Sequence, residues 1–399
     1  MKQTHTTKKS TRLLSVLLVA VLLCAVLSSC AVLGPTGSKG DTTTQGTSQD
    51  TKSGESMYNV NITIQQQSAS QSTDSTPGTY VYVAQKALDS VVSITTEATV
   101  YNRFFGNTVE SGAGSGVILC SDDTYTYIVT NNHVVEGYST IKVFTTEQDC
   151  EGYTATVMGT DWQSDIAVVR IEKTGLKAAE VGKSSELVVG QEVAAIGNPL
   201  GVLGGTITDG IIGCLARRIT VEGVTMTLVQ HSAGVSPGNS GGGLFNLSGQ
   251  LIGIVNAKSS GNGVESIGYA IPVDLALDRA VQIIRQGYVS DTPYIGITYS
   301  SSSVQGGGLL VSGYLYNEEL QSRGEDEINA GDILLSLGGS EITSYKDVRT
   351  VLSTAKVGDV LEAKLYRVKY INPFSYSRQE YTVHLTVHEY TPSVGGQTE

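Results

Sequence analysis

The stretch SPGNSGGGLFN, from Ser236 to Asn246, sets Ser240 among four glycines and a proline, just before an apolar strand start. Such small side chains leave the hydroxyl open to a large molecule, with bare backbone N–H groups beside it. A serine hydroxyl is a poor nucleophile unless a base takes its proton, and that base needs a carboxylate to fix its tautomer. The stretch therefore indicates either a flexible turn or a nucleophilic serine, depending on whether the chain supplies both partners.

A histidine and an aspartate stand at the ends of apolar strands, where a side chain can be presented. His133 follows the apolar run of YIVTNNHVVEG, and Asp165 opens the buried run of DWQSDIAVVRI. The order along the chain is His133, Asp165, Ser240. This ordered set favours nucleophilic catalysis over a simple turn.

Four motifs in this order resemble the HtrA/Deg family of trypsin-like serine proteases, over about residues 80–390. They are TNNHVV (130–135), DIAVVRI (165–171), IGNPLG (196–201) and PGNSGG (237–242). The resemblance implies a mainly β fold, with a chymotrypsin-like double β-barrel protease domain followed by a PDZ domain. It also implies an active site between the two barrels.

The resemblance assigns His133 as the general base, Asp165 as the carboxylate that orients it, and Ser240 as the nucleophile. The glycine-rich turn leaves the backbone N–H groups of Gly238, Asn239 and Ser240 free to form an oxyanion hole. The sequence departs from the family at two positions that do not belong to the triad. An Asp is usual at residue 232 and a Pro at residue 243, where this chain has Ser232 and Gly243.

The same resemblance places the wall of the substrate pocket in Val235, the strand GIVNA (253–257) and the stretch near Ile267. The residues predicted to line it are Val235, Ile254, Val255 and Asn256. No Asp lies at the base of this pocket to bind Lys or Arg. An apolar pocket of modest size would prefer Val, Ile, Ala or similar side chains before the cleaved bond. Because such residues are buried in folded proteins, this preference selects unfolded polypeptides as substrates.

Composition agrees with a secreted, β-rich, multidomain chain. The 399 residues include 46 glycines and 20 tyrosines, and the net charge of −12 argues against nucleic acid as a partner. Composition shifts and the resemblance divide the chain into a signal peptide (1–29), a disordered Ser/Thr/Gly-rich tether (30–78), a trypsin-like serine protease domain (79–288), a PDZ domain (289–390) and a tail (391–399).

The N-terminus reads as a bacterial lipoprotein signal. Basic residues precede a 15-residue apolar run (13–27), which is short for a membrane span. The run ends in LSSC, which resembles a lipobox and implies cleavage before Cys30, lipidation of Cys30 and anchoring in the cell envelope. An uncleaved anchor helix is the alternative. Cys120 and Cys214 are interpreted as packed thiols, and a disulfide among Cys120, Cys150 and Cys214 is left open.

The C-terminal segment resembles a PDZ domain. YIGI fits the carboxylate-binding loop, formed by Tyr294, Ile295, Gly296 and Ile297. AGDILLSLGGSEI (330–342) fits the Gly-Asp strand, and SYKDVRTVL (344–352) fits the helix that lines the groove. The resemblance implies that a peptide C-terminus adds a strand to the sheet edge.

No metal or cofactor is predicted. His384 and His388 have HxxxH spacing, but in a strand they lie roughly 13 Å apart, too far for one zinc ion, and they are interpreted as surface residues. His231 is interpreted as a wall residue.

Two other functions compete with the protease. An α/β-hydrolase esterase fits the G-x-S-x-G pattern at Ser240, but it needs the chain order Ser, acid, His. A proteolytically weak chaperone or scaffold of the same fold is the other alternative. The family forms trimers, so a homotrimer or higher oligomer is expected, with a contact through Tyr80, Tyr82, Phe104 and Phe105.

Overall fold

The computed structural model describes residues 76–102, 106–145, 151–197, 205–221, 223–257, 267–303, 307–372 and 375–391. Cys30, Phe104, Phe105 and Cys150 lie outside these ranges, as do the signal segment and the tether up to residue 75. The predictions that fall on these residues therefore stay predictions. Within the described ranges, no helix is both long and apolar enough to cross a bilayer.

Six antiparallel strands close into a first barrel in the order β1-β2-β3-β6-β5-β4. They are β1 (Val91–Asn102), β2 (Gly106–Ser121), β3 (Thr126–Thr130), β4 (Thr140–Phe144), β5 (Tyr153–Asp161) and β6 (Ile166–Ile171). Helix α1 (Tyr80–Ala87) precedes the barrel, and the one-turn helix α2 (Asn132–Val135) connects β3 to β4. Ile94, Ile118 and Ile128 are fully buried in its interior, as the strand period of two requires.

A second barrel has the same closed, six-stranded form, in the order β10-β11-β12-β9-β8-β7. Its strands are β7 (Glu192–Gly197), β8 (Thr206–Val221), β9 (Val224–His231), β10 (Gly243–Asn246), β11 (Leu251–Val255) and β12 (Gly268–Pro272). Val193, Leu244 and Ile252 fill its interior. The predicted mainly β, chymotrypsin-like double barrel is therefore confirmed.

Helix α3 (Val273–Gln286) follows the second barrel and buries one face. Ala276, Ala280 and Ile283 join a core cluster that also contains residues of both barrels, so this helix packs where the barrels meet. Gly287 ends the helix with φ of 87° and donates its N–H to the Ile283 carbonyl at 2.8 Å. This left-handed end is the geometry that favours glycine.

The C-terminal residues form a second sheet system with an apolar core of its own, which includes Leu334, Leu365 and Val383. The main sheet has the order β14-β15-β16-β18-β19, with β17 paired to β16, and β13 pairs separately with β20. The strands are β13 (Pro293–Tyr294), β14 (Ile297–Ser303), β15 (Leu309–Tyr314), β16 (Ile333–Leu337), β17 (Ser340–Glu341), β18 (Val360–Asn372), β19 (Ser375–Thr386) and β20 (His388–Glu389). The helices are α4 (Asn317–Ser322) and α5 (Tyr345–Leu352).

Candidate active site

Asp165 lies in the turn between β5 and β6, at the edge of the first barrel. The carboxylate of Asp161 shapes this turn, because it accepts the Gln163 N–H at 3.1 Å and the Ser164 hydroxyl at 2.5 Å. The turn delivers Asp165 with φ of 56°, in the left-handed region. That conformation is uncommon for a residue with a Cβ and costs about 1 kcal/mol or more, so it indicates a residue held in place by its surroundings.

His133 lies on α2, directly after β3, and Asp165 holds it at two points. Its Nδ1 is 2.7 Å from Asp165 Oδ2, and its backbone N–H donates to Asp165 Oδ1 at 3.0 Å. The side chains are 18% and 11% exposed, so water competes little for this contact. With the carboxylate as acceptor, the proton of a neutral ring lies on Nδ1 and Nε2 is the free basic nitrogen.

Asn256 supplies a further donor to this carboxylate. Its side chain is fully buried, and its Nδ2 donates to Asp165 Oδ2 at 2.9 Å. The prediction that Asn256 lines the substrate pocket is therefore corrected, because its amide points to Asp165. Asp165 therefore accepts three N–H bonds in all, two at Oδ2 and one at Oδ1.

Gly241, directly after Ser240, is required by packing between the barrels. Gly241 has φ of 84°, and a Cβ there would lie 2.2 Å from the Ser115 carbonyl oxygen and 2.3 Å from Thr130 Oγ1. Ser115 also donates its N–H to the Ser240 carbonyl at 2.8 Å and its hydroxyl to the Gly238 carbonyl at 2.7 Å. Instead of the exposed turn that was expected, Ser240 is only 6% exposed and is fastened to the first barrel.

The end of β11 brings the serine and the carboxylate together. The backbone N–H of Ala257 donates to Ser240 Oγ at 3.2 Å, while the preceding residue, Asn256, binds Asp165. Among the described residues, the hydrogen bond of the Ser240 hydroxyl is therefore to Ala257 and not to His133. The structure pairs His133 with Asp165, and it turns the Ser240 hydroxyl to Ala257, two residues after β11.

The predicted oxyanion hole needs one correction. The backbone N–H of Asn239 donates to the Ser236 carbonyl at 3.0 Å and closes the turn, so it is not free for a substrate. Gly238 has φ of 98°. This positive φ rotates the peptide group that carries the Gly238 N–H away from the orientation it would have in an ordinary strand. The N–H groups of Gly238 and Ser240 stay the predicted donors.

The predicted pocket wall is also corrected. Ile254 and Val255 are fully buried, and they point into different apolar clusters: Ile254 into the core between the barrels, Val255 into the interior of the second barrel. Neither side chain can contact a substrate. Val235 is half-buried and packs against the second-barrel interior, so it alone of the four predicted residues keeps an accessible apolar side chain.

Sequence reasoning missed a cavity of about 30 Å³ that His133 and Asp165 share with distant residues. Trp162 lines it from the turn before Asp165, and Arg349 lines it from α5 of the C-terminal sheet system. The Arg349 guanidinium lies 5.7 Å from the Trp162 ring and donates to Glu136, next to α2, with one contact at 3.1 Å. No sequence signal links residues 136 and 349, since only the tertiary fold brings them together.

The other histidines stand apart from this pair. His231 is 1% exposed at the end of β9, and its ring fills space that a side chain at Gly268 would need. Burial lowers the pKa of His231 to about 4, because the imidazolium loses its hydration there. His384 lies 2.9 Å from Glu325, and His388 lies 3.0 Å from Glu319.

We expect the buried imidazole of His231 to make stability depend on pH. Its folded pKa of about 4 lies below the ordinary value of 6.5, so the unfolded chain binds the extra proton between these values. The free energy of unfolding should therefore fall as the pH drops from 6.5 to 4, by at most about 3 kcal/mol from this residue. Urea unfolding at pH 4.5 and 7.5 measures the loss, which His231→Leu should reduce. An unchanged loss in His231→Leu would contradict the assignment.

The thiols differ in part from the expectation. Cys120 and Cys214 are both unpaired. Cys214 is half-buried, but Cys120 is exposed instead of packed, because it stands where β2 shifts register against β3. Although the residue as a whole is exposed, partial desolvation of its sulfur and the charge of Asp122 raise the pKa of Cys120, which keeps it in the thiol form.

Comparison with known proteins agrees with this architecture. A trypsin-like peptidase domain matches residues 114–254. Serine protease Do-like HtrB of Bacillus subtilis is 37% identical over 308 residues, 70% of this chain and 66% of the relative. Protease Do-like 1, chloroplastic, of Arabidopsis thaliana is 36% identical over 307 residues, 72% of this chain and 68% of the relative. A solved structure described as HtrA-type protease AlgWS227A with decapeptide has a TM-score of 0.50 at 27% identity, covering 79% of this chain and 98% of that one.

The two closed barrels and the peptidase-domain match define the class, a protein with a trypsin-like peptidase domain. The first relative is matched over slightly less than two thirds of its length. The second is matched over 68% of its length at 36% identity. The chain belongs to the HtrA family.

Proposed function

We propose that this protein is an envelope-anchored serine endopeptidase that cleaves unfolded or damaged polypeptides through His133, Asp165 and Ser240. One observation carries the proposal. The His133–Asp165 pair, with its 2.7 Å contact, lies at the edge of the first barrel, and the end of β11 connects it to Ser240 in the second barrel. Family membership supports the same reaction class.

In the proposed reaction, His133 Nε2 accepts the Ser240 proton while the hydroxyl oxygen attacks the peptide carbonyl. Rotation about the Ser240 Cα–Cβ bond would exchange its Ala257 partner for His133, as catalytic hydrogen bonds often tighten only when a substrate binds. The N–H groups of Gly238 and Ser240 would stabilise the oxyanion. The imidazolium then returns its proton to the leaving amine, and water repeats the sequence on the acyl-enzyme.

A second candidate, a proteolytically weak chaperone of the same fold, is favoured by one observation. Ser240 Oγ accepts from Ala257 N, so the nucleophile is not activated in this structure. A casein-cleavage assay, together with labelling by a fluorophosphonate, separates the two candidates. The protease predicts cleavage fragments and a label on the peptide that contains Ser240. Intact casein and no label at Ser240 would favour the chaperone.

We further propose that the C-terminal sheet system is a PDZ domain that binds peptide C-termini. Strand β14 lies at the edge of its sheet, so a bound peptide can add as the next strand. The loop from Tyr294 to Ile297 leads into β14, and the short β13–β20 pairing fixes its first residue opposite His388. The Tyr299 ring on β14 lies 5.5 Å from the Tyr345 ring on α5, so aromatic side chains would line the groove.

Anchoring and assembly are proposed from the sequence. Lipidated Cys30 would tether the protein to the bacterial envelope outside the cytoplasm, and the residues up to 78 would act as a flexible spacer. Tyr80 and Tyr82 lie half-buried on α1 in the described chain, where a second copy could cover them in a trimer.

Cleavage-site mapping tests the proposed pocket. We expect small aliphatic residues before the scissile bond in unfolded casein, because Val235 is apolar and packs against the apolar interior of the second barrel, where an unpaired cation would be costly. Val235→Phe would fill the pocket and shift the preference towards Ala and Gly, as mass spectrometry of the fragments would show. Val188→Phe, at a site 61% exposed, is the matched control. A majority of Lys or Arg before the cleaved bond would refute the pocket.

A further inference from the structure

Asn131 donates a hydrogen bond to the backbone of Asp165 rather than to its carboxylate. We infer that Asn131 is a positioning residue for the reaction, which acts by holding the Asp165 backbone; this inference rests on the proposed function. The Asn131 side chain is fully buried, and its Nδ2 lies 3.0 Å from the Asp165 carbonyl oxygen. Neither the motif nor the sequence spacing indicated this contact.

The backbone of Asp165 needs such a partner because of its conformation. At φ of 56° the residue is in the left-handed region, from which a chain with a Cβ relaxes unless its surroundings hold it. The N–H of Asn132 donates to the same carbonyl at 3.2 Å, a longer bond than that of Asn131. Residues 131–133 therefore bind Asp165 as one unit, the first two at its carbonyl and His133 at its carboxylate.

Asn131 does not serve the usual structural purpose of its position. It is the N-cap of α2, where an Asn oxygen ordinarily accepts a backbone N–H from the first turn. Here the side chain makes no cap hydrogen bond. Its amide binds instead to Asp165 in the turn between β5 and β6, so the residue is not explained by the helix that it begins.

The other end of the amide strengthens this interpretation. Asn131 Oδ1 is buried without a hydrogen-bond partner among the described residues. A buried, unpaired oxygen is unfavourable, and an apolar side chain of the same shape would avoid it. The amide of Asn131 therefore accepts the cost of an unpaired oxygen and makes one hydrogen bond, from Nδ2 to the Asp165 carbonyl.

The test is Asn131→Leu, which keeps the volume and removes that donor. We expect kcat on an internally quenched peptide to fall about tenfold to a hundredfold, because a small displacement of Asp165 misaligns His133. KM should stay within about twofold, since no substrate contact is lost. In an Asp165→Asn background, Asn131→Leu should lower kcat less than about threefold further, because the two residues act as one unit. If Asn131→Leu only damaged the structure, it would lower kcat by the same factor in the Asp165→Asn variant as in the wild type.

Asn317→Leu is the matched control. Asn317 makes the same kind of amide–carbonyl bond, 2.9 Å to Ile328, in the C-terminal sheet system. The thermal midpoint of the Asn317→Leu variant should fall at least as far as that of Asn131→Leu, while its kcat stays at the wild-type value. If Asn131→Leu does not fold, Asn131→Ser, whose hydroxyl is too short to reach the carbonyl, replaces it. Wild-type kcat in a folded Asn131 variant would overturn the inference, whereas wild-type kcat in Asp165→Asn would overturn the proposed triad itself.

Discussion

Replacing Ser240 with alanine should abolish casein cleavage, with kcat reduced by about 10⁶-fold, as expected when the nucleophile of a triad is lost. The fold should survive, because the hydroxyl makes one long hydrogen bond, to Ala257 N at 3.2 Å, and its loss costs about 1 kcal/mol. Single-turnover cleavage at saturating protein measures the rate, and thermal unfolding measures the stability. His133→Ala should be about as damaging, and the two losses should not add.

Ser236→Ala is the control for this experiment. Ser236 belongs to the same turn, but its side chain is exposed and its contribution is the carbonyl that accepts the Asn239 N–H. That variant should cleave casein at the wild-type rate. A Ser240→Ala protein that still cleaves as fast as the wild type would remove Ser240 from the mechanism.

Asp165→Asn should lower kcat by about 10⁴-fold. Oδ2 of Asp165 accepts from both His133 Nδ1 and Asn256 Nδ2, and Oδ1 accepts from the His133 backbone. An amide supplies only one oxygen, so in either orientation its NH₂ group faces a donor. If the NH₂ group faces the ring, the imidazole must carry its proton on Nε2, where it can no longer accept the serine proton.

Asp161→Asn separates this effect from damage to the turn. Asp161 is a buried carboxylate four residues earlier, bonded to Ser164 and Gln163 and not to His133. Its loss should lower the unfolding temperature while kcat falls less than about tenfold. Equal losses of kcat in the two variants would indicate that the turn, and not the carboxylate at the ring, limits the rate. Kinetics on a quenched peptide would distinguish these outcomes.

The barrels and the His133–Asp165 pair could be predicted because their signals are local. Four short motifs carry the family resemblance that implies the barrels, and their order identifies the pair. The pocket wall could not be predicted in the same way. Successive side chains of a strand point to opposite faces, so Ile254 and Val255 enter different cores while Asn256 turns to Asp165.

The role of the glycines illustrates a second limit. The sequence suggested that they leave room for a substrate, whereas Gly241 leaves room for Ser115 and Thr130 of the other barrel. Which neighbour occupies the space beside a glycine depends on packing between distant segments. The contact of Arg349 with Glu136 was invisible for the same reason, because it joins parts of the chain 213 residues apart.

The division of the site between two barrels has a consequence for biosynthesis. His133 and Asp165 belong to the half of the molecule that is synthesised first, while Ser240 is held by strands that close only with β12, ending at Pro272. A chain still emerging from the ribosome therefore has no ordered second barrel to present its serine. Under the proposed mechanism, such a nascent molecule holds its base and its carboxylate before it holds its nucleophile, so the site cannot act until synthesis has passed β12.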